Sequence, residues 1–140
     1  MNTAYRVWDG EKMHYWDDGE LSLIISGGEW RLYRNIVGAL GPIRIVSSTQ
    51  KNTSLMWGTG LQDKKGKDIY QKDITEESYV NPLLKENVID RYVIERRKGI
   101  DRMNHVSKKS QLDRFLWYRL DEIEVVGNVY QNPELLEGAE

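Results

Sequence analysis

The 140-residue chain has no cysteine, only two histidines and a single phenylalanine. Without cysteine there is no disulfide scaffold, thiolate metal site, thiol nucleophile or CxxC redox pair, and a reducing compartment fits. Long apolar runs are missing too. Runs such as Leu23-Ile24-Ile25 fall far short of the ~18 residues of a membrane-crossing helix. The first residues, Met-Asn-Thr-Ala-Tyr-Arg, carry no apolar signal region, so the expectation is a cytoplasmic protein with no membrane partner. No GxSxG elbow is present, and a serine triad would have to use His14 or His105. Gly27-Gly28 and Gly58-Thr59-Gly60 lack the following helix of a phosphate-cradling loop. His14 with Asp17 and Asp18 is the one histidine–carboxylate grouping, and turn aspartates serve the backbone more often than a metal. A carboxylate-only Mg2+ site from Asp9, Asp17, Asp18 and Glu20 has no signature spacing. None of the 22 acids stands out as half of a hydrolytic carboxylate pair. His105 reads as a solvated loop residue. The reading is no enzyme, no catalytic residue, no metal and no cofactor.

What the chain does have is Trp and Tyr, five and eight of them. These rings carry a polar handle and favour boundaries, interfaces and ligand rims. Either they finish a thin core, or several line a contact surface. Charge is divided along the chain. Residues 1–30 carry a net −4, 31–82 a net +3, 83–119 a net +5 and 120–140 a net −6. Acidic ends and a basic middle suggest that the ends lie against the middle or shield it from nucleic acid.

Strand-like segments dominate the first half. Ala4–Trp8 ends at the turn pair Asp9-Gly10, and Asp17-Asp18-Gly19 between two further runs reads as a hairpin. Ser26-Gly27-Gly28 turns into Glu29–Arg34, where apolar and charged residues alternate with period two. Ile43 and Ile45 repeat that alternation, and Leu55–Trp57 starts another short strand. Asp63-Lys64-Lys65-Gly66-Lys67 is a turn between Leu61 and Ile69-Tyr70. In the second half, Asn81-Pro82 offers an N-cap and a first-turn proline, Leu84, Val88 and Tyr92 recur at four-residue steps, and Gly99 can close a helix. This predicts a helix over 82–97, although Arg91–Glu95 also suits a strand. Ser110 caps a second helix through Leu112, Phe115, Leu116 and Arg119. Glu122–Tyr130 is a last strand and Asn132–Leu136 a short terminal helix. The fold class expected is α+β: antiparallel, β-rich, a barrel or strongly bent sheet with one or two helices in the second half.

Three blocks of this punctuation resemble YopX-like proteins, which bacteriophages and prophages encode. The first is Trp8-Asp9-Gly10 followed by Lys12-Met13. The second is Thr59-Gly60-Leu61, Asp63-Lys64, Gly66-Lys67, Ile69-Tyr70 and Asp73-Ile74. The third runs from Glu122 through Gly127-Asn128-Val129-Tyr130 to Asn132-Pro133-Glu134-Leu135-Leu136. The resemblance spans nearly the whole chain and implies one domain over 1–140, with a β-barrel part and an α+β part. Lys72 stands where the family usually has glycine, and Thr75-Glu76-Glu77-Ser78 replaces the strand expected after Ile74. The resemblance brings no activity or catalytic residue. The physics of the signature residues Trp8, Asp9, Gly60, Asp63, Gly66, Tyr70, Asp73, Gly127, Asn128, Tyr130, Asn132 and Pro133 is structural. Gly66 serves a charged turn, Gly127 marks a bulge or close backbone approach, and Asn128 caps backbone groups there.

Arg91, Arg96, Arg97, Lys98, Arg102, Lys108, Lys109, Arg114 and Arg119 are interleaved with Tyr92, Trp117 and Tyr118. Guanidinium and ring groups together suit phosphate contact and base stacking. The alternative is a solvated helix face whose cations pair with Glu95, Asp101 and the acidic tail. Overall charge favours the latter. The expected function is therefore a non-enzymatic phage or prophage accessory protein. It binds its own copies as a homo-oligomer, or a bacterial host protein. Nucleic-acid or nucleotide binding through residues 83–119, with Arg91, Tyr92, Arg96, Arg97, Lys98, Trp117 and Tyr118 as contacts, is the second reading.

Overall fold

A computed structural model describes residues 4–36, 38, 40–106 and 114–136. The chain separates into two compact units, residues 1–57 and 58–140.

The first unit holds β1 (Tyr5–Trp8), β2 (Met13–Tyr15), β3 (Leu21–Ser26), β4 (Glu29–Arg34), β5 (Ile43–Ser47) and the start of β6 (Ser54–Gln62). Strands β3, β4 and β5 form an antiparallel meander, while β1 pairs with β2 on one side and with Ser54–Trp57 of β6 on the other. Gly27 and Gly28, with φ of 61° and 82°, make the two-residue loop between β3 and β4, the conformation a right-twisted hairpin requires. The period-two alternation puts Leu32 inside with Val7 and Val46, and Leu21, Leu23, Trp30 and Leu55 pack around them. Burying each such aliphatic side chain contributes roughly 1.5–3 kcal/mol. Asp17-Asp18-Gly19 does not make a hairpin. It lies between β2 and β3, which belong to different sheets.

The second unit holds the rest of β6, then β7 (Asp68–Tyr70), β8 (Asp73–Asn81), β9 (Glu86–Arg97), β10 (Ile100–His105), β11 (Arg114–Phe115) and β12 (Glu124–Asn128). The last five form a sheet in the order β11-β10-β9-β8-β12 with antiparallel pairs throughout. Ile69, Tyr92, Ile94, Met103, Leu116, Ile123 and Val125 form its core.

The expected α+β class does not hold. The described residues are 56% strand and 6% 3-10 helix, with a curled half-barrel sheet and no α-helix. Residues 82–97 are not helical: β9 takes twelve of them, with Tyr92 and Ile94 fully buried two residues apart. Val88, Ile89, Val93 and Ile94 are β-branched, which costs side-chain freedom in a helix and suits a pleated surface. Asn81 does cap, but it caps a turn. Its Oδ1 accepts from the N–H groups of Leu83 and Leu84, and Lys85 at φ 53° sends the chain back. Gly99 likewise serves a hairpin, since Lys98 and Gly99 have φ of 53° and 78° between β9 and β10. The second expected helix is β11 followed by a 3-10 turn at Leu116–Tyr118, while Ser110 and Leu112 lie outside the described residues. The terminal helix is a single 3-10 turn, Pro133–Leu136. Thr75-Glu76-Glu77-Ser78 does not replace the strand after Ile74 but lies inside β8. His105 sits on β10 with its side chain only 11% exposed, and its Nε2 is 3.0 Å from Asp90 Oδ1.

Candidate interaction surfaces

The signature residues turn out to be joints of the backbone. At the β1–β2 turn, Asp9 Oδ1 accepts from the N–H groups of Glu11 and Lys12, both at 2.7 Å, and Oδ2 lies 2.7 Å from His14 Nε2. Burial alone would raise the Asp9 carboxyl, but the bonds from His14, Lys12 and Glu11 hold it below the ordinary carboxylate range. His14 is thus joined to Asp9 rather than to Asp17 or Asp18, and Asp18 pairs with Arg34. Trp8 closes β1 opposite Met13 and Ser54.

In the second unit Asp63, 6% exposed, is the pivot of the middle block. Its Oδ1 accepts from the N–H groups of Lys65 and Lys67, its Oδ2 from the N–H of Val125 at 2.8 Å, and Gly66 completes the turn at φ 80°. Burial pushes this carboxyl up, and the bonds from Val125, Lys67 and Lys65 outweigh that and depress it. The same carboxylate therefore shapes its own turn and pins β12, 62 residues away. Gly60, at φ 81°, lies where the β6–β7 register shifts. The Tyr70 N–H donates to Asp73 Oδ2, closing the β7–β8 turn. Lys72 occupies that turn at φ 69°, the left-handed region where glycine is at ease, and its Nζ meets Glu95 Oε1 at 2.8 Å. In the closing block, β12 bulges between Val125 and Gly127. A β-carbon on Gly127 would strike Asn132, with its Cγ at 2.6 Å and its Oδ1 nearer still. Asn128 Oδ1 accepts from the N–H groups of Tyr130 and Gln131, and Pro133 starts the terminal 3-10 turn.

The structure separates the residues singled out for binding. Tyr92 is buried in the core, and its hydroxyl donates to Glu77 Oε1. Burial, with the Glu77 carboxylate beside it, pushes that hydroxyl up to about 12. Arg91 bonds Glu76 at 2.7 Å, and Arg96 bonds Asp101 through both Nε and Nη2. Arg119 donates twice to Glu77 and also pairs with Glu122, and its guanidinium is raised above its ordinary value chiefly by the Glu77 bond. Arg114 lies 3.6 Å from the other Glu77 oxygen. Arg91, Arg96, Arg114 and Arg119 of the basic middle thus meet acids within their own unit; of the acids expected, Asp101 and Glu122 take part, while Glu95 meets Lys72 instead. Arg97 and Lys98 are exposed at the β9–β10 hairpin end. Because β11 runs antiparallel to β10, Trp117 and Tyr118 follow Phe115 toward that same end. These two rings stack at 3.8 Å while more than half exposed, and Arg102 lies over the Phe115 ring at 5.3 Å. Lys108 and Lys109 lie outside the described residues.

Two features escaped the sequence reading. Buried Glu77 collects Tyr92, Arg114 and Arg119, the last 42 residues on, and no local pattern announces such a partner. The other is the β8–β9 ribbon. The last β12 pair on β8 is at Glu76, and the last β10 pair on β9 is at Tyr92. Beyond these, among the described residues, no third strand pairs with the ribbon Ser78–Asn81 and Glu86–Ile89. Tyr79, Val80, Leu84 and Ile89 are each more than half exposed, and Leu83 at its tip is 90% exposed. The signal was the Leu83-Leu84 pair beside Asn81-Pro82, which the helix reading absorbed. Where β12 leaves β8, a cleft of about 350 Å3 opens, lined by Lys64, Glu77, Ser78, Tyr79, Arg119, Asp121 and Glu122. No helix of the described residues is long and apolar enough to cross a membrane.

Comparison with known proteins agrees with the three blocks. The family described as YopX protein matches residues 4–137. The SPbeta prophage-derived uncharacterized protein YopX of Bacillus subtilis (strain 168) is 44% identical over 141 residues, covering 99% of this chain and 98% of that protein. The crystal structure of protein yopX from Bacillus subtilis superposes with a TM-score of 0.76 at 42% identity, over 98% of this chain and 100% of that one. Protein EF1440 from Enterococcus faecalis shares the fold, with a TM-score of 0.59 at 19% identity over 96% and 97% of the two chains.

Proposed function

The chain belongs to the YopX family, and on that premise we propose that it is a non-enzymatic prophage accessory protein. It acts in the bacterial cytoplasm by binding protein, in the first place its own copies. One observation carries the reading: the β8–β9 ribbon exposes Val80 and Ile89 on one face, Tyr79 on the other, and Leu83 and Leu84 at its tip. A two-stranded hairpin with apolar side chains exposed on both faces is marginal in water and gains from a partner that covers it. The aromatic surplus points the same way. Of the thirteen Trp and Tyr residues Tyr70 and Tyr92 are buried, while Tyr15, Trp16, Tyr79, Trp117 and Tyr118 are each more than a third exposed. Light scattering at micromolar concentration should give a multiple of 16.4 kDa. A mass of one chain sinks the reading.

A second reading, nucleic-acid binding, draws on the exposed Trp117–Tyr118 stack and on the exposed cations Arg97 and Lys98. Pairing of Arg91, Arg96, Arg114 and Arg119 with acids leaves it few phosphate contacts. Micromolar affinity for single-stranded DNA near physiological salt, lost with its salt slope on replacing Arg96, Arg97 and Lys98 by glutamine, would promote it.

A further inference from the structure

We infer that two copies join by antiparallel pairing of the outer β8 edge about a two-fold axis at Tyr79, so that the two sheets become one. This rests on the self-association reading and names the surface and the partner. The edge is open where it matters. Along Ser78-Tyr79-Val80-Asn81 every second residue turns its N–H and C=O away from β9. Among the described residues no backbone bond meets them there. Exposed edges are usually protected by charge, proline or a bulge. These four residues carry no charge, no proline and no register shift against β9, and proline comes only at Pro82.

The identical edge of a second copy fits this one on three counts. Antiparallel pairing of one segment with itself closes under a two-fold axis, so it forms a dimer and not a fibre. With Tyr79 opposite its counterpart, Val88, Tyr79 and the same two residues of the second copy lie in one row across four strands, because Tyr79 already faces Val88 across the ribbon. Aromatic and β-branched neighbours of this kind stabilise a sheet. Ser78 then faces Val80 of the second copy, so no charge meets a like charge among these pairs. The incoming strand also takes the place along β8 that β12 has left. The cleft beside Glu77, Ser78 and Tyr79 gives it room, and Asn81, Pro82 and Leu83 of each copy run along the other's cleft, covering Leu83, which is 90% exposed in one chain.

The test is charge exchange at the axis. Tyr79→Lys and Tyr79→Glu are made separately, and each is measured by light scattering alone and as an equimolar mixture, beside the wild type at the same micromolar concentration. The wild type should have twice the mass of one chain, each variant alone the mass of one chain, and the mixture twice that mass again. Recovery in the mixture shows that both variants fold. A wild type with the mass of one chain overturns the inference together with the self-association reading. A wild-type multimer that either variant leaves unchanged overturns only the β8 pairing, as does a mixture that stays at one chain.

Discussion

Asp63→Ala should be among the most damaging single changes in the second unit. The carboxylate accepts three backbone N–H bonds of 2.8–2.9 Å. The Val125 N–H is in a buried bond, and leaving such a donor unmet costs about 1–3 kcal/mol. The donors of Lys65 and Lys67 sit in a partly buried turn where water reaches them, and losing their bonds to a charged acceptor adds about 1 kcal/mol each. The total is roughly 3–5 kcal/mol, in the tail reserved for broken buried networks, and the melting midpoint should fall by roughly 10 °C or more. Asp63→Asn keeps one oxygen for the turn but sets an amide donor against a backbone N–H. It should cost roughly 2 kcal/mol. Acidity separates this mechanism from mere packing. Bonding holds the Asp63 carboxyl below its ordinary range in the folded chain, so its contribution is full above the unfolded value, about pH 4, and disappears as pH falls through the folded value. Asparagine does not titrate. The stability gap between wild type and Asp63→Asn, followed by denaturant titration from pH 6 to pH 3, should be constant at first and then shrink. A gap that is below 1 kcal/mol at neutral pH, or that does not change with pH, refutes the reasoning.

The clash at Gly127 predicts that Gly127→Ala destabilises by about 1–3 kcal/mol, and that the penalty shrinks in an Asn132→Ala background. Equal penalties in the two backgrounds, by thermal melts, show that Asn132 is not what excludes the β-carbon. Lys72 at positive φ is matched against an ion pair whose side chains are each over a third exposed, and such a pair contributes at most about 1 kcal/mol. Lys72→Gly should therefore stay within about 1 kcal/mol of wild type, while Lys72→Val should lose at least about 1 kcal/mol. Valine as stable as glycine there would contradict the left-handed assignment. Glu77→Ala leaves the buried Tyr92 hydroxyl without its acceptor and Arg119 with Glu122 alone, and should cost about 2 kcal/mol. A change within experimental error would show that solvent takes over both partners.

Local turn chemistry was legible in the sequence. Asp9-Gly10, Gly27-Gly28, the Asp63–Lys67 turn and the Asn128 cap all stand where side-chain type and spacing put them, because each is decided within four residues. The second half misled for a related reason. Asn-Pro followed by glycine some residues later demands a capped first turn and a positive φ, and a helix and a pair of tight hairpin turns both supply these. Leu84, Val88 and Tyr92 then completed a four-residue period by accident, with Leu84 in a turn and Tyr92 in the core. What decides for strand is pairing with β8 and β10. The site residues divide the same way. That Arg96 meets Asp101 follows from a short loop, whereas Tyr92 and Arg119 converge on Glu77 only through the sheet. Open edges are invisible in one chain's sequence because they depend on where neighbouring strands stop.

Amide hydrogen exchange at low and high protein concentration tests self-association through β8 most directly. The outward-facing amides among Ser78–Asn81 should exchange quickly in dilute protein and gain protection as concentration rises, while the Lys98–Gly99 hairpin end stays unchanged. Exchange along Ser78–Asn81 that is the same at every concentration would contradict the pairing.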